Sequence, residues 1–234
     1  QEEAHRHAPL QPQALEALRE TAECFHPRGD PNTDLPSPSK ARDLLTALGS
    51  ATGADLVWLQ GTADAPPPRV VAAAVCAPSA WDPAEKLGRS LAEIHAVVPG
   101  LNPTLGPALD TFLARLRPGP AWLRANWGLS ASPELNQHPS LQLPRLRADV
   151  TPDQVWVRIE HQALVALPRT GAILFGIRVE ILSLRTLLRQ PALHLGLARA
   201  LHSMPADMAR YKGLAEARDA LMEILQPPPD TLVG

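Results

Sequence analysis

The residues most able to do chemistry fall in two stretches. The first, KLGRSLAEIHAVVPG at 86–100, sets His95 among small and apolar residues, and the second, VRIEHQALVAL at 157–167, carries Arg158, Glu160 and His161 within four positions. Neutral imidazole is a common ligand for metals and for haem iron, and a carboxylate near such a centre can relay protons. A histidine inside an amphipathic helix is also an ordinary hydrogen-bonded core residue, so His95 alone does not decide between the two. His138, in the loop sequence LNQHP, is a second candidate ligand, and His161 a third.

These residues need elements to place them. Leu87, Leu91, Ile94 and Val98 recur at steps of four, three and four, which predicts one continuous helix over 83–98 with an apolar stripe facing a sheet. His95 lies beside that stripe, near Gly88, Leu91 and Ala92, where small neighbours leave room for a flat ligand. Residues 155–167 and 171–182 alternate as a long hairpin about Pro168–Gly171. If Pro168 stands opposite Gly171, the partners are His161 with Arg178, Ala163 with Gly176 and Val165 with Leu174.

Val155, Val157, Ile159, His161, Ala163, Val165 and Leu167 then share one face, with Trp156, Arg158, Glu160 and Gln162 on the other. The apolar face is expected to hold a shallow depression at Ala163 and Gly176, rimmed by His161 and Arg178, where a planar ligand could lie with Arg178 pairing an acidic group. The alternative is a packed His161 and an Arg178 that meets Glu160 or Glu180. A one-residue slip would exchange the faces.

Other elements follow from spacing and punctuation. A helix is expected over Gln13–Cys24, a Pro/Asp/Ser-rich loop over 27–39, and a helix over Lys40–Thr52. Strands are expected at 54–60, 69–77 and 121–129, and a helix at 104–117 with Pro107 in its first turn. Further helices are expected at 183–202 and about 206–225, before the Pro227–Pro229 run. Two strands, helices, then three strands is the order of an α+β, PAS-like domain: an antiparallel sheet with helices packed on one face and extra helices at both chain ends. The expected division is an N-terminal extension over 1–53, the core over 54–188 and C-terminal helices over 189–234.

Composition narrows the function. The 234 residues carry a net charge of −2 with no basic stripe, which argues against nucleic acid. No apolar run reaches the ~18–20 residues of a membrane span, so a cytoplasmic location is expected. Two cysteines, Cys24 and Cys76, fit neither a zinc knuckle nor an iron–sulfur site. His5 and His7 lie in a polar start that lacks Met. Walker, GxSxG, HExxH and GxGxxG patterns are missing.

Four segments, WDPAEK (81–86), IHAVVP (94–99), RANWGLSASPELNQHP (124–139) and VRIEHQALVALPRTGAILFGIR (157–178), resemble in this order the haem-dependent oxidative N-demethylase alpha-subunit family. The likeness runs from about Cys76 to about Leu188 and does not reach the first 50 residues. Val97 departs from that family's IH-x-P-V-P pattern, and His161 stands where it has arginine. The resemblance implies a PAS-like domain that binds haem b and uses dioxygen to oxidise a small secondary amine, with electrons from a separate reductase. It implies His95 as axial ligand, Glu160 and His161 in catalysis, and Arg178, Arg158, Trp127, Asn126, Gly176 and Lys86 around the cofactor. Trp127 as core and Lys86 and Arg89 as exposed charges are the plain alternatives. A haem-based sensor or carrier without turnover, and a fold that has lost its cofactor, are the rival functions.

Overall fold

The structure, a computed structural model, describes residues 12–25, 45, 47–49, 52–62 and 65–226. The five strands are β1 (Asp55–Thr62), β2 (Ala65–Ala74), β3 (Trp122–Ser130), β4 (Trp156–Ala166) and β5 (Ile173–Ser183). They form one antiparallel sheet in the order β2-β1-β5-β4-β3. Helices α1 (Pro12–Phe25), α2 (Leu91–His95), α3 (Leu101–Arg115), α4 (Leu184–Leu188), α5 (Pro191–Ser203), α6 (Ala206–Tyr211) and α7 (Arg218–Ile224) accompany it. This is the expected α+β, PAS-like arrangement.

The hairpin register is the one its turn dictates: His161 opposes Arg178, Ala163 opposes Gly176 and Val165 opposes Leu174. Gly171 supplies the positive φ that closes the turn, at 66°. Beneath the turn, the buried Glu20 carboxylate of α1 accepts from the Arg169 and Thr170 backbone N–H groups at 2.5 and 2.9 Å and from Thr170 Oγ1 at 2.6 Å. Trp58 Nε1 donates to Thr21 Oγ1 at 2.9 Å, a second polar tie between α1 and the sheet.

The two faces of the sheet are packed differently. On the inner face, Val57, Leu59, Val70, Leu164, Ile173 and Phe175 meet Leu91 and Ile94 of α2 and Leu109, Phe112 and Leu113 of α3. On the outer face, α1 covers Leu56, Trp58 and Leu174, while the helices after β5 cover Leu129, Val157 and Leu182. Between these two outer cores lie His161, Arg178 and Glu180, all exposed.

Several helices are shorter than periodicity predicts. The span 83–98 is not one helix: a 3-10 turn at Ala84–Lys86 ends before Gly88, whose φ is 75°, and α2 starts afresh after Ser90. The break lets 88–90 run beside β2, where Gly88 N–H donates to Val70 O at 2.8 Å and Val70 N–H to Arg89 O at 2.9 Å. Ser90 and Glu93 then form a reciprocal capping box. Leu87, expected on the buried stripe, is 47% exposed for this reason.

Helix α3 begins after Gly100 rather than near Gly106, so Pro107 lies inside it. The C-terminal helices divide before Pro191 and at Gly213, whose φ is 69°. Residues 40–44, the 27–39 loop, His5, His7 and Pro227–Pro229 lie outside the described residues.

Candidate active-site cavity

A cavity of about 780 Å³ opens between the inner face of the sheet, α2 and the loops on either side of β3, within the ~300–1,000 Å³ range of small-molecule sites. Its apolar half is walled by Val57, Leu59, Val70, Leu91, Ile94, Phe175 and Ile177. Its polar half is made by Ser79, Asn126, His138, Glu160, Tyr211 and Lys212. Gly128 forms part of the floor, and a Cβ placed there would meet nothing within 4 Å.

Strand alternation puts Arg158 and Glu160 on this inner face and His161 on the outer one. Glu160 Oε1 accepts from Ser79 Oγ at 2.7 Å, and Oε2 accepts from Gln162 Nε2 at 2.8 Å and Asn126 Nδ2 at 3.2 Å. Asn126 stands directly opposite Glu160 in the β3–β4 ladder. Three donors therefore fix the carboxylate at the cavity wall.

Arg158 is 3% exposed and spends its guanidinium on protein oxygens. Nη1 donates to Glu134 O at 2.9 Å, and Nη2 to Leu135 O at 3.1 Å, Ala77 O at 3.3 Å and Ser79 Oγ at 3.2 Å. Burial lowers its pKa, against the charges of Glu160 and Asp55. Asp55, itself buried, accepts from the N–H groups of Cys76 and Ala77 at 2.7 and 3.0 Å, and burial raises its pKa despite these donors. Asp55 and Arg158 thus hold the 76–79 loop against the sheet.

The three histidine candidates differ sharply. His95 lines the cavity half-buried, and its buried Nδ1 has no hydrogen-bond partner. Burial, followed by the charge of Arg124, lowers its pKa and favours the neutral ring. His138 also borders the cavity, but Nδ1 is 2.8 Å from Ser140 Oγ and Nε2 is 3.5 Å from Asp82 Oδ1. His161 is exposed on the outer face, with Nε2 3.0 Å from Glu180 Oε2.

Among the described residues no group of three or more His, Cys, Asp or Glu side chains could hold a free metal ion. A macrocycle that brings its own nitrogen ligands needs only one from the protein. His95, whose ring lines a large half-apolar cavity and whose Nδ1 makes no hydrogen bond, fits that requirement.

The family model described as haem-dependent oxidative N-demethylase, alpha subunit-like matches residues 16–222. The chain belongs to that family. The match reaches well beyond 76–188, so α1 from Glu16 and the helices after β5 up to Met222 fall inside the N-demethylase-like unit.

Within this N-demethylase-like chain, the cavity gathers His95, Lys86, Asn126, Trp127, Arg158, Glu160 and the alternative His138. Trp127 borders it from β3 while also packing against the C-terminal core. Lys86 lies 3.9 Å from Glu85 in a weak surface pair. The structure does not bring His161, Arg178 and Gly176 to the cavity. They occupy the uncovered strip of the outer face, where Arg178 is exposed and Leu56 Cδ2 lies 3.8 Å from a Cβ built on Gly176. The apolar alternation that suggested a ligand pocket there arises instead from the two outer cores flanking the strip. His161 consequently belongs to the outer surface.

Ser79, Asp55, Tyr211 and Lys212 carry no local signal in the sequence. Ser79 is 81 residues from Glu160, and Lys212 is 85 from its partner Trp127. Only the return of the end of α6 to the β3 edge brings Tyr211 and Lys212 in. Among the described residues no helix is long and apolar enough to cross a membrane.

Proposed function

We propose that this protein binds haem b in the cavity and, with dioxygen, oxidatively demethylates a small secondary amine, taking electrons from a separate reductase. The observation that supports this best is the half-buried ring of His95 lining a large, half-apolar cavity, in a chain of the N-demethylase-like family. In overall balance, dimethylamine with dioxygen, two electrons and two protons gives methylamine, formaldehyde and water.

Haem, when bound, supplies the iron at which dioxygen is reduced. The chain's own residues do the rest. His95 would hold the iron through a neutral imidazole nitrogen. Lys86, at the rim, is the candidate partner for a propionate. The Glu160 carboxylate, aimed by Ser79, Asn126 and Gln162, orients the cationic amine and accepts its proton. The apolar wall made by Val57, Leu59, Val70, Leu91, Ile94, Phe175 and Ile177 would exclude water from the bound group.

The test is a visible-absorption titration of the purified protein with haem, followed by dithionite and carbon monoxide. A stoichiometric Soret band that responds to both, and is shifted or abolished by His95→Ala but unchanged in His161→Ala, is expected. No saturable band would refute haem binding, and loss of the band in His161→Ala alone would move the axial ligand to the outer face. Amine turnover with an artificial electron donor then separates an enzyme from a sensor or carrier.

A further inference from the structure

Lys212, just after α6, reaches over the free edge of β3. Its Nζ donates to Trp127 O at 2.7 Å and stands 5.1 Å from the Trp127 ring centroid. An ammonium has three donors, so two remain after the carbonyl is served. Among the described residues no carboxylate oxygen lies within 4.0 Å of it, although it lines the cavity. Lys212 and Glu160 both line the cavity, and burial lowers the Lys212 pKa while the charge of Glu160 opposes that shift.

Glu160 is in the complementary position. Its three donors are all neutral side chains, and no Lys, Arg or His nitrogen comes within 4.0 Å of it among the described residues. Of the other charged groups that line the cavity, Glu85 and Lys86 lie 3.9 Å apart, Asp82 lies 3.5 Å from His138 and Arg158 donates to protein oxygens, whereas Glu160 and Lys212 are an anion and a cation each hydrogen-bonded to neutral groups and not paired at contact distance. Charges withdrawn from water without a partner are costly, and a ligand bearing both signs would satisfy both. A plain dialkylammonium would satisfy Glu160 but set a second cation before Lys212.

We propose that Glu160 and Lys212 form a paired subsite for a zwitterionic secondary amine, an N-methyl amino acid whose ammonium meets Glu160 and whose carboxylate meets Lys212. This rests on the haem-dependent demethylation proposed above for the reaction, though not for the binding. With N-methylglycine the balance is the same: dioxygen, two electrons from the reductase and two protons yield glycine, formaldehyde and water.

Calorimetric titration of the full chain, haem-free and haem-loaded, with N-methylglycine and dimethylamine tests it. N-methylglycine is expected to bind about tenfold tighter or better, the advantage one well-placed ionic contact gives. Lys212→Met should erase that advantage and leave dimethylamine within about twofold, while Lys212→Arg, which keeps the charge, should retain most of it. Equal affinity for the two amines in the wild type overturns the proposal, as does an advantage that survives Lys212→Met. If Lys212→Met instead weakens haem binding and leaves the amine preference intact, the ammonium serves a haem propionate and the subsite is refuted. An amine preference without any Soret band would support the subsite while sinking the demethylase.

Discussion

Arg158 Nη2 stands 3.2 Å from Ser79 Oγ, and Ser79 Oγ stands 2.7 Å from Glu160 Oε1. A guanidinium can only donate, so the hydroxyl must accept from Arg158 and turn its single proton toward Glu160. The direction of this relay is fixed by chemistry, and it ties the carboxylate's position to the loops at the cavity mouth. Arg158, two residues before Glu160 on β4, is a positioning residue.

Arg158→Gln should therefore cost about 2–4 kcal/mol, because the carbonyls of Ala77, Glu134 and Leu135 lose a charged donor in a buried setting. Ser79→Ala removes only the relay and should cost about 1 kcal/mol. Urea denaturation of both variants checks this. A loss under 1 kcal/mol for Arg158→Gln, by order of magnitude, would mean that the loops are held by something else.

Ser90→Ala probes the start of the helix that carries His95. Ser90 Oγ caps the Glu93 N–H at 3.3 Å, and Glu93 Oε2 returns to the Ser90 N–H at 2.7 Å. Loss of such a cap costs about 1 kcal/mol, and, if it is felt as displacement of α2, haem affinity falls about fivefold. Melting temperature and Soret titration are the two readouts. An affinity that holds while stability drops would detach the cap from the site.

How far the sequence reveals this protein depends on the element. The β4–β5 register is legible because Pro168–Gly171 and strict alternation leave one pairing that keeps every apolar residue together. Which face holds the site is not legible by the same logic. The outer face of β4 is the more apolar because it packs under helices at both ends, while the inner face must leave a cavity and so carries Arg158, Glu160 and Gln162. An apolar stripe reports packing, and here packing and the cavity lie on opposite sides. The break at Gly88 was visible as S-x-x-E at 90–93, a start signal that the longer 83–98 periodicity masks. Tyr211 and Lys212 join the cavity only through tertiary folding.

Gly128→Leu asks whether the floor of β3 is the binding surface. A Cβ there enters open space, so the side chain should be accommodated with a stability change within about 1 kcal/mol. It should also fill the cavity and abolish saturable haem binding. A folded Gly128→Leu protein with an undiminished Soret titration would place the ligand elsewhere.

The acid sensitivity of the fold should centre on Glu20. Burial alone would raise its pKa, but the Thr170 hydroxyl, the backbone donors of Arg169 and Thr170, and the Arg169 charge together hold it below its ordinary value of 4.5. A carboxylate lowered in the folded state contributes stability that is fully present above its unfolded pKa and is lost as pH falls through the folded one. At neutral pH Glu20→Gln should cost about 1–3 kcal/mol, since the hairpin turn loses a charged acceptor for three donors. The difference between wild type and variant should shrink as pH drops below 4.5, measured by denaturant unfolding across the carboxylate range. A gap that persists unchanged in acid would show that the shape of the side chain, rather than its charge, anchors α1 to the β4–β5 turn.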